Sequence, residues 1–205
     1  MHVRDKGPFY NRDESEVFME QRIYLFHSGC SIIDVPDVRH GRKNADLGQG
    51  FYTAAEREFA LRWARVRRGE TTYINHYELD LWGLNVLRFE RDPSWFDYIY
   101  SNRNNLPDLY PDADVIIGPI ANDTIYDTFG IITSGLLERE EAMNLLMIGP
   151  VYTQIVIRSE KAVRQLKFLR AEILEKEQIE QYRAAAAQEE KEYQKLFAAE
   201  FEKMQ

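Results

Sequence analysis

Five short runs rich in β-branched and aromatic residues are scattered along the chain: RIYLFH (Arg22 to His27), TTYINHYELD, NVLRF, DVIIGPI and YTQIVI (Tyr152 to Ile157). Turn formers such as Gly, Pro, Asn and Asp lie between them, so each run reads as a separate strand. Stretches with helical periodicity also lie between the runs, and the combination demands a mixed α+β fold. At 205 residues, 44% of them hydrophobic, the chain suits one domain with an appendage.

The first run ends at Gly29 and delivers His27 to its end. Residues 28 to 50, with Pro36, Gly41, Gly48 and Gly50 and little periodicity, are expected to form a long ordered loop, a kind that in compact domains is usually functional. Ala54 to Arg68 has the spacing of a helix capped by Gly69. Asp92 and Pro93 are a cap and a first-turn proline for a helix through SWFDYIYSNRNN. Further helices are expected at Thr124 to Ile131 and Glu138 to Met147. Ser159 caps a last helix running from Lys161 nearly to the end, with Ile179, Tyr182, Ala186, Tyr193, Phe197 and Phe201 on one stripe. Residues 171 to 205 hold nine acidic and five basic residues and no core of their own. Such a helix is marginal alone, so it is expected to pack on the domain, on a second copy or on another protein.

The formal net charge of −8 argues against a broad nucleic-acid footprint. Arg57, Arg62, Arg65, Arg67 and Arg68 nevertheless crowd one segment. They read either as a solvated helix face with acidic partners at Glu56, Glu58 and Glu70, or as a small polyanion site. A single cysteine, Cys30, excludes an internal disulfide, and with four scattered histidines it cannot build a thiolate-rich zinc site. Cys30 lies three residues from His27 but has no supporting third group for nucleophilic chemistry. No apolar run approaches the length of a membrane span and no leader has a secretory core, so a cytoplasmic protein with no membrane association is expected.

The chemistry-bearing pattern is a series: YLFHSG, then GRKNADLGQGFYTA, FALRWA, ADVIIGPIANDTIYDTF and YTQIVIRSEKAVRQLKFL. Taken alone, His27 fits a structural histidine as well as a functional one, and Tyr52 and Trp63 fit the core as well as a site. In this order, over about residues 22 to 170, the series resembles a bacterial family known as domain of unknown function 3990. That family in turn resembles a distant branch of the ADP-ribosyltransferase fold, whose members set a His, a Tyr and usually a Glu on three strands around NAD. The matching positions here are His27, Tyr52 and Gln154.

The resemblance implies a split antiparallel β-sheet with surrounding helices and a long C-terminal helix. It divides the chain into a leader (1–21), an ADP-ribosyltransferase-like domain (22–170) and a C-terminal helical extension (171–205). It also implies NAD as substrate and a macromolecular acceptor, in a bacterial toxin or phage-defence effector. The alternatives are NAD hydrolysis and a silent module that binds NAD, ADP-ribose or a protein, with the C-terminal helix as a docking or self-association element. His27, Ser28 and Gly29 would meet the ribose and carboxamide, Tyr52 and Trp63 would face the nicotinamide, and Gly48 and Gly50 would let the loop bring Tyr52 to the cleft. Arg42 and Asn44 would meet the pyrophosphate, or else lie on the loop surface. Asn122 and Asp123 rank below these as turn and cap residues.

Gln154 departs from the carboxylate pattern. An amide keeps the hydrogen bond to ribose but not the charge that stabilises a growing sugar cation. A charged hydrogen bond contributes roughly 1.5 to 3 kcal/mol against about 1 for a neutral one, so the exchange costs about one to two powers of ten in rate. Glu160, six residues on, reads as a first-turn charge on the next helix.

Overall fold

Ile155, Val156 and Ile157 are all buried, whichever face of their strand they occupy, so that strand lies inside a sheet covered on both sides. The structure is a computed structural model that describes residues 21–120, 141 and 151–203. In it seven strands form one sheet: β1 (Arg22–Gly29), β2 (Phe51–Ala54), β3 (Thr72–Asp80), β4 (Val86–Arg88), β5 (Val115–Pro119), β6 (Thr153–Ile157) and β7 (Leu166–Leu174). Their order is β4-β5-β6-β2-β1-β3-β7, antiparallel except for the parallel β4/β5 pair. Four helices accompany them among the described residues: α1 (Arg57–Leu61), α2 (Pro93–Arg103), α3 (Glu160–Gln165) and α4 (Lys176–Lys203). The fold is mixed α+β.

The sheet narrows at one place. β1 pairs with β3 over eight successive residues but with β2 only at Phe26↔Ala54. Beyond that pair His27, Ser28 and Gly29 keep partners on β3 and have none on β2. One half-sheet, β4-β5-β6-β2, therefore meets the other, β1-β3-β7, at a seam. α2 packs Trp95, Tyr98 and Ile99 on the first half, against Ile116 and Val156. α3 places Ala162 and Val163 in a cluster with Leu25, Phe51, Tyr77 and Ile157. α1 and the start of α4 share a third cluster, with Phe59, Leu61, Ile74, Leu174 and Ile179.

The five strands foreseen in the sequence are present, and Asp92 caps α2 through the Trp95 amide (2.9 Å). Ser159 caps α3 through the Ala162 amide (3.1 Å). Two strands were missed. Ala54, read as the start of a helix, ends strand β2, and Tyr52 lies on that strand, as the resemblance implied. The helix expected from Ala54 to Arg68 has only five residues. Its last carbonyls accept from amides only three residues on, Arg62 N to Phe59 O, Trp63 N to Ala60 O and Ala64 N to Leu61 O, and past them side chains take carbonyls that a longer helix would use: Arg65 Nη1 donates to Arg62 O (2.8 Å) and Ala64 O (2.9 Å), and Thr72 Oγ1 to Arg65 O (2.7 Å). The apolar period that suggested a longer helix comes from Phe59, Leu61 and Ala64, which are buried without it.

YTQIVI is not the last strand, and the helix expected from Lys161 to the end is interrupted by β7. Leu166–Leu174 has good helix formers, but pairing with β3 overrides that preference by satisfying an otherwise open sheet edge. α4 then follows, and the stripe read from the sequence is its covered side: Ile179 and Tyr193 are buried and Tyr182, Ala186, Phe197 and Phe201 partly so. The helix packs on the domain. Glu189 reaches both Arg62 Nη1 and the Tyr152 hydroxyl (2.5 Å), and Tyr152 stacks on Phe59 with ring centroids 5.0 Å apart. The helices expected at 124–131 and 138–147, and Asn122 and Asp123, lie outside the described residues, apart from Glu141, which is helical.

Among the described residues no helix is long and apolar enough to cross a membrane. The loop of residues 30–50 is held down by glycine contacts: a Cβ on Gly41 would lie 2.3 Å from Gly50 O, and one on Gly50 2.6 Å from Ile157 O. Gly41→Ala therefore forces two backbones apart, and it should lower stability by about 1–3 kcal/mol. Urea unfolding checks this; an unchanged midpoint would refute the close approach.

Candidate functional site

A cavity of ≈ 390 Å³ opens at the seam between β1 and β2. This is within the usual range for small-molecule sites, roughly 300–1,000 Å³. Phe26, His27 and Ser28 of β1 line it, with Tyr52, Thr53 and Ala54 of β2 and Gln154 of β6. Arg42, Asn44, Ala45 and Asp46 of the long loop form another wall. Trp63, just past α1, completes it with Ala60, Ile120 and Arg103, the last residue of α2.

His27 bridges the seam. Its Nδ1 lies 2.8 Å from Tyr52 O, and because a carbonyl only accepts, Nδ1 carries the hydrogen and Nε2 is left as an acceptor. The imidazole packs on Phe51, ring centroids 4.6 Å apart. Burial lowers its pKa, and the Tyr52 carbonyl only partly offsets this, so the ring favours the neutral state. Gly29 is not on the cavity wall. A Cβ there would approach His27 Nε2 to 3.3 Å, so the glycine leaves room beside that nitrogen.

Tyr52 is fixed at both ends of its side chain. Its hydroxyl donates to Gly48 O (2.7 Å) and accepts from Leu47 N (3.0 Å), and its ring packs against the α2 cluster. Burial, with Asp46 nearby, raises its pKa far above the ordinary phenol value, so it remains a neutral hydroxyl. The two glycines before the aromatic pair separate by role. Gly48 has φ +80°, which places its carbonyl under the hydroxyl, whereas Gly50 serves close packing on β6.

Gln154 pairs with Ala54 on one side and Gly118 on the other, and Ala54 pairs with Phe26. The row Phe26–Ala54–Gln154–Gly118 thus crosses four strands and carries the amide to the seam. Its small neighbours leave that amide uncovered, and among the described residues it makes no hydrogen bond. Arg42 and Asn44 likewise have no hydrogen bond or ion pair among the described residues. Ser28 donates its hydroxyl to Ala60 O, another residue of the cavity wall. Trp63 is 50% exposed, so it is a wall of the opening and not a core residue, while Phe59 behind it is buried.

Two residues escaped the sequence reading. Asp46, the carboxylate on the described wall, is ion-paired to Arg103 (2.7 Å), and Asn102 Nδ2 donates to Asp46 O (2.9 Å). The end of α2 thereby grips the loop immediately before Tyr52's two hydroxyl partners. Asp46 begins the DLGQGFY run, which was a usable signal, but nothing local in SNRNN marks Arg103 as a wall residue. Among the described residues no group of three or more His, Cys, Asp or Glu is placed to hold a metal ion. The cavity offers an acceptor nitrogen, an amide and a guanidinium beside two aromatic surfaces, which suits a ligand carrying hydroxyls, a flat ring and an anion.

Tyr52→Phe keeps the ring but strands Leu47 N and Gly48 O, so it should cost about 1–3 kcal/mol in urea unfolding. His27 gives a pH signature. Its folded pKa lies below the ordinary 6.5, so the unfolded chain takes up the proton first. Its stability contribution is present above about pH 6.5 and is lost as pH falls through the folded value. His27→Gln should flatten that limb of the stability curve, leaving the part due to His76, whose pKa is lowered in the same direction.

No curated protein and no solved structure matches the chain. One family does: its sequence model covers residues 23–168, every strand from His27 to Gln154 included, and the chain belongs to the family described as protein of unknown function (DUF3990).

Proposed function

We propose that the cavity binds NAD and that the protein transfers ADP-ribose from it to a macromolecular acceptor. The observation that carries this reading is the meeting of His27, Tyr52 and Gln154, from three strands, on one cavity at the seam. His27 Nε2 accepts from a ribose hydroxyl, Gln154 holds a second hydroxyl, and Arg42 faces the pyrophosphate with its planar fork. The nicotinamide lies against the rings of Tyr52 and Trp63. Tyr52 contributes only its ring, since its hydroxyl is already bonded twice.

In the reaction the bond between ribose C1′ and the nicotinamide nitrogen breaks, and its electron pair leaves with neutral nicotinamide. The acceptor supplies the pair for the new bond from the opposite face and releases its proton to water. The growing sugar cation finds little negative charge: Gln154 is neutral and Asp46 is held by Arg103. Slow transfer is the consequence. We place the protein in the cytoplasm, where NAD is, as a bacterial toxin or phage-defence effector. A second reading, a module that binds NAD or ADP-ribose without turnover, is favoured by the same amide.

Incubation of the protein with adenylate-labelled NAD and a cell lysate separates these readings. Transfer predicts a labelled macromolecule and free nicotinamide, and hydrolysis predicts free ADP-ribose with no labelled macromolecule. A silent module predicts calorimetric binding without NAD loss, and no binding at all refutes the proposal. Under transfer, Gln154→Glu should raise the rate by about tenfold, and His27→Ala should abolish labelling.

A further inference from the structure

The segment between α1 and β3 is a pinned loop with an exposed basic surface. Its backbone carbonyls at Arg62, Ala64 and Arg65 are held by the Arg65 and Thr72 side chains, as described above, and Gly69 turns it with φ +77°. Arg65, Val66, Arg67 and Arg68 are exposed in sequence, a continuous ridge and not one face of a helix. Arg57 and Arg62 are occupied by Glu172 and Glu189. Arg67 faces Glu70 at 3.6 Å, but both side chains are about half exposed, so that pair is weak. Arg68 has no hydrogen bond or ion pair among the described residues. Three arginines thus stand against Glu70, while Glu56 occupies the N-cap position at the far end of α1 and Glu58 lies in its first turn. Trp63, half exposed, sits between this ridge and the cavity that it lines.

We propose that this ridge binds a single-stranded polynucleotide, which makes nucleic acid the acceptor; the inference rests on the NAD reading of the cavity. Guanidinium forks match phosphate oxygens, and an indole has two faces, so the half-exposed Trp63 can meet the nicotinamide with one and stack an unpaired base on the other. An acidic peptide would satisfy the arginines but not use the indole. A duplex keeps its bases stacked and away from the opening, whereas a reacting base must reach it. The remainder of the chain is strongly acidic, with a net charge of −8 overall, so the footprint is short, of order three phosphates. In the transfer a base nitrogen or oxygen supplies the electron pair to ribose C1′, nicotinamide leaves with the old pair, and the displaced proton goes to water.

The test is fluorescence anisotropy of the full chain with a labelled single strand of about twelve nucleotides, as DNA and as RNA, over a salt series. Binding of one or both is expected. Arg65→Ala/Arg67→Ala/Arg68→Ala should weaken it by roughly tenfold or more and reduce the slope of log affinity against log salt by about 2, at about 0.7 per phosphate. Arg67→Ala/Arg68→Ala, which keeps the carbonyl bonds of Arg65, should show the same direction and so excludes a folding artefact. Calorimetry should give both variants unchanged affinity for NAD. Unchanged oligonucleotide binding in the variants, absence of binding in the parent chain, equal binding of a duplex, or tighter binding of polyglutamate would each overturn the proposal. Failure of the parent chain to bind NAD while it binds the oligonucleotide would overturn the cavity reading instead.

Discussion

The hydrogen bond from His27 to the Tyr52 carbonyl holds together a place where the sheet has almost come apart. With Phe26↔Ala54 as the sole register pair between β1 and β2, the two half-sheets lack the ladder that elsewhere excludes ligands from a sheet. One side-chain bond replaces it, and that substitution has two consequences at once. It fixes the imidazole as the tautomer with a bare Nε2, and it leaves open the space into which the walls of the cavity face.

The walls depend on packing that begins well away from the opening. α2 binds the long loop through Asn102 and Arg103, the loop binds the Tyr52 hydroxyl through Leu47 and Gly48, and Tyr52 binds His27 through its carbonyl. Gly41 and Gly50 let the loop lie directly on itself and on β6. Each link is a part-buried polar contact, so loss of one partner leaves the other poorly paired. The site is thereby rigid on its loop side, which suits binding of a ligand whose several groups must be met together.

On the opposite side the short α1 is held by Ser28, and α4 is docked on it through Arg62, Tyr152 and Glu189. The C-terminal helix consequently belongs to the wall structure. Its acidic residue neutralises one of the crowded arginines, and Glu172 of β7 neutralises another, so the basic character of that segment is concentrated in Arg65, Arg67 and Arg68. A crowd of five arginines becomes a ridge of three with a tryptophan at its head.

Local sequence is enough for the elements with local causes: five strands from β-branched and aromatic runs, α2 from its Asp-Pro start, α3 from Ser159, and the covered stripe of α4. For the candidate site the sequence worked through resemblance and not through local pattern: His27, Ser28, Arg42, Asn44, Tyr52, Trp63 and Gln154 line the cavity and Gly29 does not. The sequence did not determine β7, the shortness of α1, or the parts taken by Asp46 and Arg103. Those follow from contacts between segments distant in the chain. β7 is a strand because β3 had an open edge, and past α1 the Arg65 carbonyl goes to Thr72 of β3 and not to a further helical turn. Tertiary structure decided that the seam is open, since a strand's own residues specify its alternation but not how many of them find a partner.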